Sequence, residues 1–260
     1  MKFLSVAHSD VGIRKKINQD SVLIKEASTD NGNVLFAVVC DGMGGFAKGE
    51  VASATLVKAF SKWFEKELPF LLYQDGKVQD IDEESLMSSW DLVISESNLK
   101  IAAYGENMHA QCGTTLAAIL LANNKYYIAN VGDSRVYQLD GTMKRLTVDQ
   151  TVVQREIDEG RITEEEAKVH PQRNVLLQCI GTGVAVDTEY EVGEYHSGDG
   201  FMLCSDGFRH VITDEEFLKL LSPEKLNEEK NLQDAAIYFT ELNKQRREND
   251  NISVILIKVD

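Results

Sequence analysis

Nine short apolar runs, each bounded by Gly, Asp or Asn, recur along this chain at about 3–8, 21–26, 33–40, 114–121, 125–131, 134–139, 187–194, 200–205 and 251–259. Runs of that length with those borders read as strands, so the sequence predicts a β-rich protein. Two segments interrupt the series. Residues 45–67 and 84–108 carry spaced apolar positions and good helix formers, with Gly and Pro scarce inside them, and predict two long helices. Shorter helices are expected at 149–158, 163–168, 214–221 and 231–247. Thr213 before Asp214-Glu215-Glu216 and Thr163 before Glu164-Glu165-Glu166 each have the form of an N-cap with a capping box. Segments 69–83 and 145–185 read as surface excursions.

With 260 residues, 43% of them hydrophobic, the chain can bury a sizeable core in one large domain or two small ones. No stretch of about 18 apolar residues occurs, and the N-terminus lacks an apolar run with a cleavage site, so no membrane span or secretory leader is expected and the expected compartment is the cytoplasm. Cys40, Cys112, Cys179 and Cys204 are widely spaced, include no C-x-x-C pair, and read as buried reduced thiols. A net charge of -15 repels a nucleic acid backbone and argues against that class of partner.

The chemistry gathers at strand ends. Val34-Leu35-Phe36-Ala37-Val38-Val39-Cys40 runs into Asp41-Gly42-Met43-Gly44-Gly45, and Phe201-Met202-Leu203-Cys204 runs through Ser205 into Asp206-Gly207. An Asp-Gly pair after a strand is commonly a hairpin turn. At Asp41, however, the extra glycines precede a long helix instead of a partner strand. Asp133, in Val131-Gly132-Asp133-Ser134-Arg135, and Asp250, before the last strand, have similar placement, and Asp20 opens the second strand. Carboxylates brought together repel unless they are protonated or bridged by a cation. An all-oxygen set suits Mg²⁺ or Mn²⁺. The five histidines are scattered, with no nucleophile motif or Walker loop beside them, and are expected in structural or solvent-facing roles.

Arg14 to Asp20 (RKKINQD), Asp41-Gly42-Met43-Gly44-Gly45, Cys112-Gly113-Thr114-Thr115, Val131-Gly132-Asp133-Ser134-Arg135, His170-Pro171-Gln172-Arg173-Asn174, Cys204-Ser205-Asp206-Gly207 and Asp250-Asn251 occur in an order that resembles the metal-dependent type 2C protein phosphatases, the PPM family. The resemblance spans nearly the whole chain, and Met43, where animal members usually carry His, is similar to the bacterial branch. It implies an α+β fold over residues 1–260 as a single domain: a four-layer α-β-β-α sandwich with a central antiparallel β-sandwich and a dinuclear metal centre at one end. The 145–185 excursion resembles the mobile flap beside the active site.

Carried over residue by residue, the resemblance gives Asp41 to both metals, the Gly42 carbonyl to the first, and Asp206 and Asp250 to the second. Asp20 would bind through water, and Asp133 with Asp206 would hold a third, weaker ion. The alternative for Asp133 is a turn cap. The implied reaction is hydrolysis of phosphoserine and phosphothreonine by a water activated between two Mn²⁺ or Mg²⁺ ions. The implied partners are phosphorylated proteins and a Ser/Thr kinase, for a chain expected to act as a monomer. A small-molecule phosphoesterase and an inactive binding module are the competing readings; retention of Asp41, Asp206 and Asp250 argues against the second.

One departure concerns the substrate phosphate. The family's arginine usually stands five residues before the aspartate at position 20, and here that position is Lys15. Either the loop shifts by one residue and Arg14 reaches the site, the preferred expectation, or Lys15 serves as a point charge. Both could instead be solvated members of a basic run. Gln19 stands where many members carry Glu.

Overall fold

The computed structural model describes residues 1–44, 48–74, 77–222 and 224–260. Its strands are β1 (Phe3–Asp10), β2 (Ser21–Thr29), β3 (Gly32–Cys40), β4 (Gly42–Gly44), β5 (Tyr73–Gln74), β6 (Lys77–Val78), β7 (Cys112–Thr114), β8 (Leu116–Ala122), β9 (Lys125–Val131), β10 (Arg135–Leu139), β11 (Met143–Arg145), β12 (Glu189–Glu194), β13 (Gly200–Cys204) and β14 (Ile252–Val259). The helices are α1 (Gly49–Lys66), α2 (Leu68–Leu72), α3 (Glu83–Asn107), α4 (Val152–Asp158), α5 (Glu164–Lys168), α6 (Asp206–Arg209), α7 (Asp214–Leu221) and α8 (Glu229–Gln245). The predicted start of the first long helix, at 45–47, lies outside the described residues.

Two five-stranded antiparallel sheets, ordered β1-β14-β13-β10-β11 and β12-β9-β8-β3-β2, form the centre. The continuous apolar run of β3 needs cover on both faces, and alternation divides it. Phe36, Val38 and Cys40 pack with Leu56, Phe60 and Trp63 of α1 and Trp90 of α3. Leu35, Ala37 and Val39 face the other sheet, where they join Leu203, Ile255 and Ile257. β14 divides the same way: Val254 and Leu256 pack under Phe217 of α7 and Phe239 of α8. The result is the expected four layers, α-β-β-α. Both predicted capping boxes form, at Thr163 and Thr213. Cys40, Cys112 and Cys204 are buried thiols as expected, whereas Cys179 is half-buried. Among the described residues no helix is long and apolar enough to cross a membrane.

Register brings the candidate aspartates to one end of the sandwich. In one sheet Ser21 pairs with Cys40 and Leu116 with Val131, so Asp20, Asp41 and Gly132 emerge together. In the other, Cys204 pairs with both Arg135 and Val254, so Asp133, Asp206 and Asp250 leave that sheet at one edge.

Neither Asp-Gly pair is a hairpin turn. Gly42 begins β4, which pairs with β7, and Asp206 begins α6. A side chain at Gly42 would strike the carbonyl oxygens of Gln19 and Gly49, and one at Gly207 that of Asn251, so both glycines permit close backbone approach at this end.

Candidate metal centre

Backbone and hydroxyl contacts position Asp41 and Asp20. The Asp41 carbonyl accepts from Thr115 N at 2.9 Å and Thr114 Oγ1 at 3.0 Å, and Asp41 N donates to Thr115 Oγ1 at 2.9 Å. Thr115 Oγ1 also lies 2.7 Å from Ser134 Oγ, which joins the Asp41 loop to the loop of Asp133. Asp20 Oδ2 accepts from Ser253 Oγ at 2.6 Å and Ser205 Oγ at 3.0 Å. Asn251 accepts from Gln19 N at 2.9 Å and donates to the carbonyls of Val11 and Ile17, pinning the N-terminal loop to the last strand.

What these contacts leave over is negative charge. Oδ1 of Asp20 and Oδ1 of Asp206 are buried without a hydrogen-bond partner. Burial, then the charges of Asp206 and Asp250, push the Asp20 carboxyl up to about 7 against the hydroxyl bonds. Asp133 is also pushed up to about 7 by burial and Asp206, opposed by Arg209. Asp41 is raised well above the carboxylate range by burial and then by Asp20, Asp206, Asp133 and Asp250. Buried oxygens without partners and carboxyls that resist ionising are what a divalent cation would satisfy. The donor set is all oxygen, so the residues fit Mn²⁺ or Mg²⁺. Among the described residues no three His, Cys, Asp or Glu side chains are drawn into a closed ligand group. The Gly42 carbonyl faces Gly49 at the start of α1.

Within the basic run, Lys15 is the member that meets one of these aspartates. Lys15 Nζ lies 2.9 Å from Asp250 Oδ1, and that bond, with the charges of Asp250, Asp41 and Asp206, outweighs burial and raises the ammonium's pKa. Arg14 is exposed, and no ion pair among the described residues includes it. The loop is therefore not shifted to bring Arg14 inward; with Asn251 holding Val11 and Ile17, Lys15 is the residue turned to the aspartates.

Sequence reasoning missed several residues of this end. Thr114, Thr115 and Asn251 were visible only as members of motifs, without roles. His210 lies 3.5 Å from both Asp206 Oδ2 and Glu248 Oε2, and these acids raise its pKa against burial. Arg209 packs beside Asp133. The i,i+4 spacing of Asp206 and His210 was a readable signal for that pair, whereas no spacing rule connects Arg209 with Asp133 or His210 with Glu248.

The sequence matches the family described as protein phosphatase 2C over residues 11–249. It is 35% identical to the serine/threonine protein phosphatase PstP of Mycobacterium tuberculosis over 97% of this chain, which spans 44% of that longer protein. It is 32% identical to the serine/threonine phosphatase stp of Listeria monocytogenes, covering 91% of this chain and 92% of the relative. The crystal structure of the M. tuberculosis phosphatase superposes with a TM-score of 0.81 at 34% identity over 99% of both chains. The catalytic domain of PstP solved with two manganese ions superposes with a TM-score of 0.79 at 33% identity, again over 99% of each. Matched along nearly its whole length in sequence and in fold, the chain belongs to the protein phosphatase 2C family.

Proposed function

We propose that this chain removes phosphate from phosphoserine and phosphothreonine in proteins, using two Mn²⁺ or Mg²⁺ ions at the aspartate end of the sandwich. One observation carries the reading: buried aspartate oxygens without partners converge from both sheets. Asp41 would serve both ions, the Gly42 carbonyl the first, Asp206 and Asp250 the second, and Asp20 would act through water. When bound, such a pair supplies a nucleophilic water at neutral pH and neutralises charge on the phosphoryl group. The chain's own work is positional. Thr114 and Thr115 fix the Asp41 backbone, and Ser205 and Ser253 occupy one Asp20 oxygen while the other stays free. On this reading the substrates are phosphoproteins made by a Ser/Thr kinase in the cytoplasm, and the chain acts as a monomer. Hydrolysis of a phosphothreonine peptide set against a nucleotide panel tests the substrate class. A clear preference for the nucleotides would replace the protein substrate with a small molecule.

Lys15 is the residue proposed to meet the substrate phosphate. Its ammonium offers charge without the two-pronged grip of a guanidinium. Lys15→Ala is expected to raise KM for a phosphopeptide by about tenfold, the loss of one charge-assisted hydrogen bond. Arg14→Ala should have little effect, with Mn²⁺ affinity unchanged in both. Steady-state kinetics decides the order, and a larger effect at Arg14 would move the contact there.

A third, weaker ion is assigned to Asp133 and Asp206. Asp133→Ala should lower turnover about 10- to 100-fold while two tighter ions remain bound, the size of loss typical when an auxiliary group at a metal site is removed. Calorimetric Mn²⁺ titration beside the kinetics checks it. An unchanged rate at every Mn²⁺ concentration would make Asp133 a turn residue.

A further inference from the structure

Residues 145–185 leave and rejoin the sandwich at the metal-binding end. On the outgoing side Gln150 N donates to Gly132 O at 2.9 Å, and Gln150 Oε1 accepts from Gly132 N at 2.8 Å. On the returning side Ile180 and Thr114 exchange both backbone bonds, at 2.8 and 2.9 Å. The two arms are joined by Val152 N to Val175 O at 2.9 Å and Leu177 N to Gln150 O at 2.7 Å.

Beneath the outgoing arm lies a cluster of largely covered charge. The Asp149 carboxylate is gripped by the Arg135 guanidinium, Nε to Oδ1 at 2.7 Å and Nη2 to Oδ2 at 2.6 Å. The same Oδ2 is 3.5 Å from Arg209 Nη2. Arg209 Nη2 donates to the Asp133 carbonyl at 2.8 Å and lies 3.8 Å from Asp133 Oδ2. Arg209 is the last residue of the single-turn helix whose first residue is Asp206. A side chain carried by the turn of Asp206 thus touches both the base of the excursion and the loop of Asp133.

We propose that Arg209 is a positioning residue that seats the 145–185 excursion against the metal-binding end, so that the place of the excursion and the geometry of Asp133 and Asp206 are set together. The proposal rests on reading this end as the phosphatase site. The competing role is charge balance, a cation that merely neutralises buried Asp133. The two differ in what a lysine can replace. A lysine would satisfy charge balance, but its chain ends one bond short of Nη2, the single nitrogen through which Arg209 makes all of these contacts. Asp149 keeps Arg135 when Arg209 is lost, which leaves the excursion a partner and the core its fold.

The test is backbone hydrogen exchange on Arg209→Met and Arg209→Lys, beside kinetics on two substrates. In both variants the amides of Gln150, Val152 and Leu177 are expected to exchange about tenfold faster, through loss of the ion pair between Arg209 and Asp149 at the base of the excursion. The core amides of Phe36 and Leu120 should keep their protection. KM for a phosphothreonine peptide should rise several-fold more than KM for p-nitrophenyl phosphate. Unchanged protection at those three amides overturns the proposal. So does loss spread equally over the core strands, or a Lys variant indistinguishable from the parent. If Arg209→Met does not fold, Arg209→Lys carries the measurement alone. The exchange arm needs neither metal nor substrate, so its failure is separate from a failure of the phosphatase reading.

Discussion

Asp41→Asn is expected to lower turnover by about a thousandfold or more, because one carboxylate would serve both ions and its loss removes charge stabilisation from each. The fold should persist. The backbone of Asp41 is held by Thr114 and Thr115, contacts that the amide side chain does not touch. Its carboxyl is raised well above the usual range by burial and four neighbouring aspartates, so an amide, neutral at every pH, removes the cost of holding that acid protonated in the protein without cations. Thermal unfolding of metal-stripped Asp41→Asn should therefore come at or above the parent temperature while phosphopeptide hydrolysis is lost. Activity within tenfold of the parent would remove Asp41 from the shared position.

The second large effect concerns pH. Asp20 and Asp133 are pushed from 3.8 up to about 7, each first by burial. Between those limits the folded protein holds protons that the unfolded chain releases, so stability falls as pH rises from about 4 through 7. Both groups act in this direction, and their contributions do not simply add because each interacts with Asp206. His210 acts in the same direction: its pKa is raised, so its contribution is present below its ordinary value and lost above the folded one. A divalent cation reverses the sign, since it stabilises the ionised carboxylates and releases their protons. Metal-stripped protein should lose melting temperature between pH 5 and pH 8, and Mn²⁺ should restore most of it at the upper end. A melting temperature that climbs with pH in the absence of metal would contradict this electrostatic picture.

Local pattern carried much of the architecture. β3 and β14 carry continuous apolar stretches, 34–40 and 254–257, because both faces are covered, and Thr163 and Thr213 announce their helices through capping contacts within three residues. The strand-end aspartates were legible for the same reason, since an acid directly after an apolar run sits where a strand leaves its sheet. What stayed hidden depends on long-range contact. The pairing of β4 with β7 joins residues about 70 positions apart, and neither three-residue segment has a period to read. The ion pair of Lys15 with Asp250 was hidden too, in a loop tied to Asn251 more than 230 residues away. Arg209 meets Asp133 and Asp149 through folding alone.

Phosphate release from a phosphothreonine peptide by metal-stripped protein, followed as Mn²⁺ is added, bears most directly on the claim that this aspartate end is a dinuclear phosphatase centre. No release above background is expected without metal, followed by a saturable rise that a chelator reverses and that Asp41→Asn abolishes. Hydrolysis at the full rate by the metal-stripped protein, or a rise undiminished in Asp41→Asn, would contradict it.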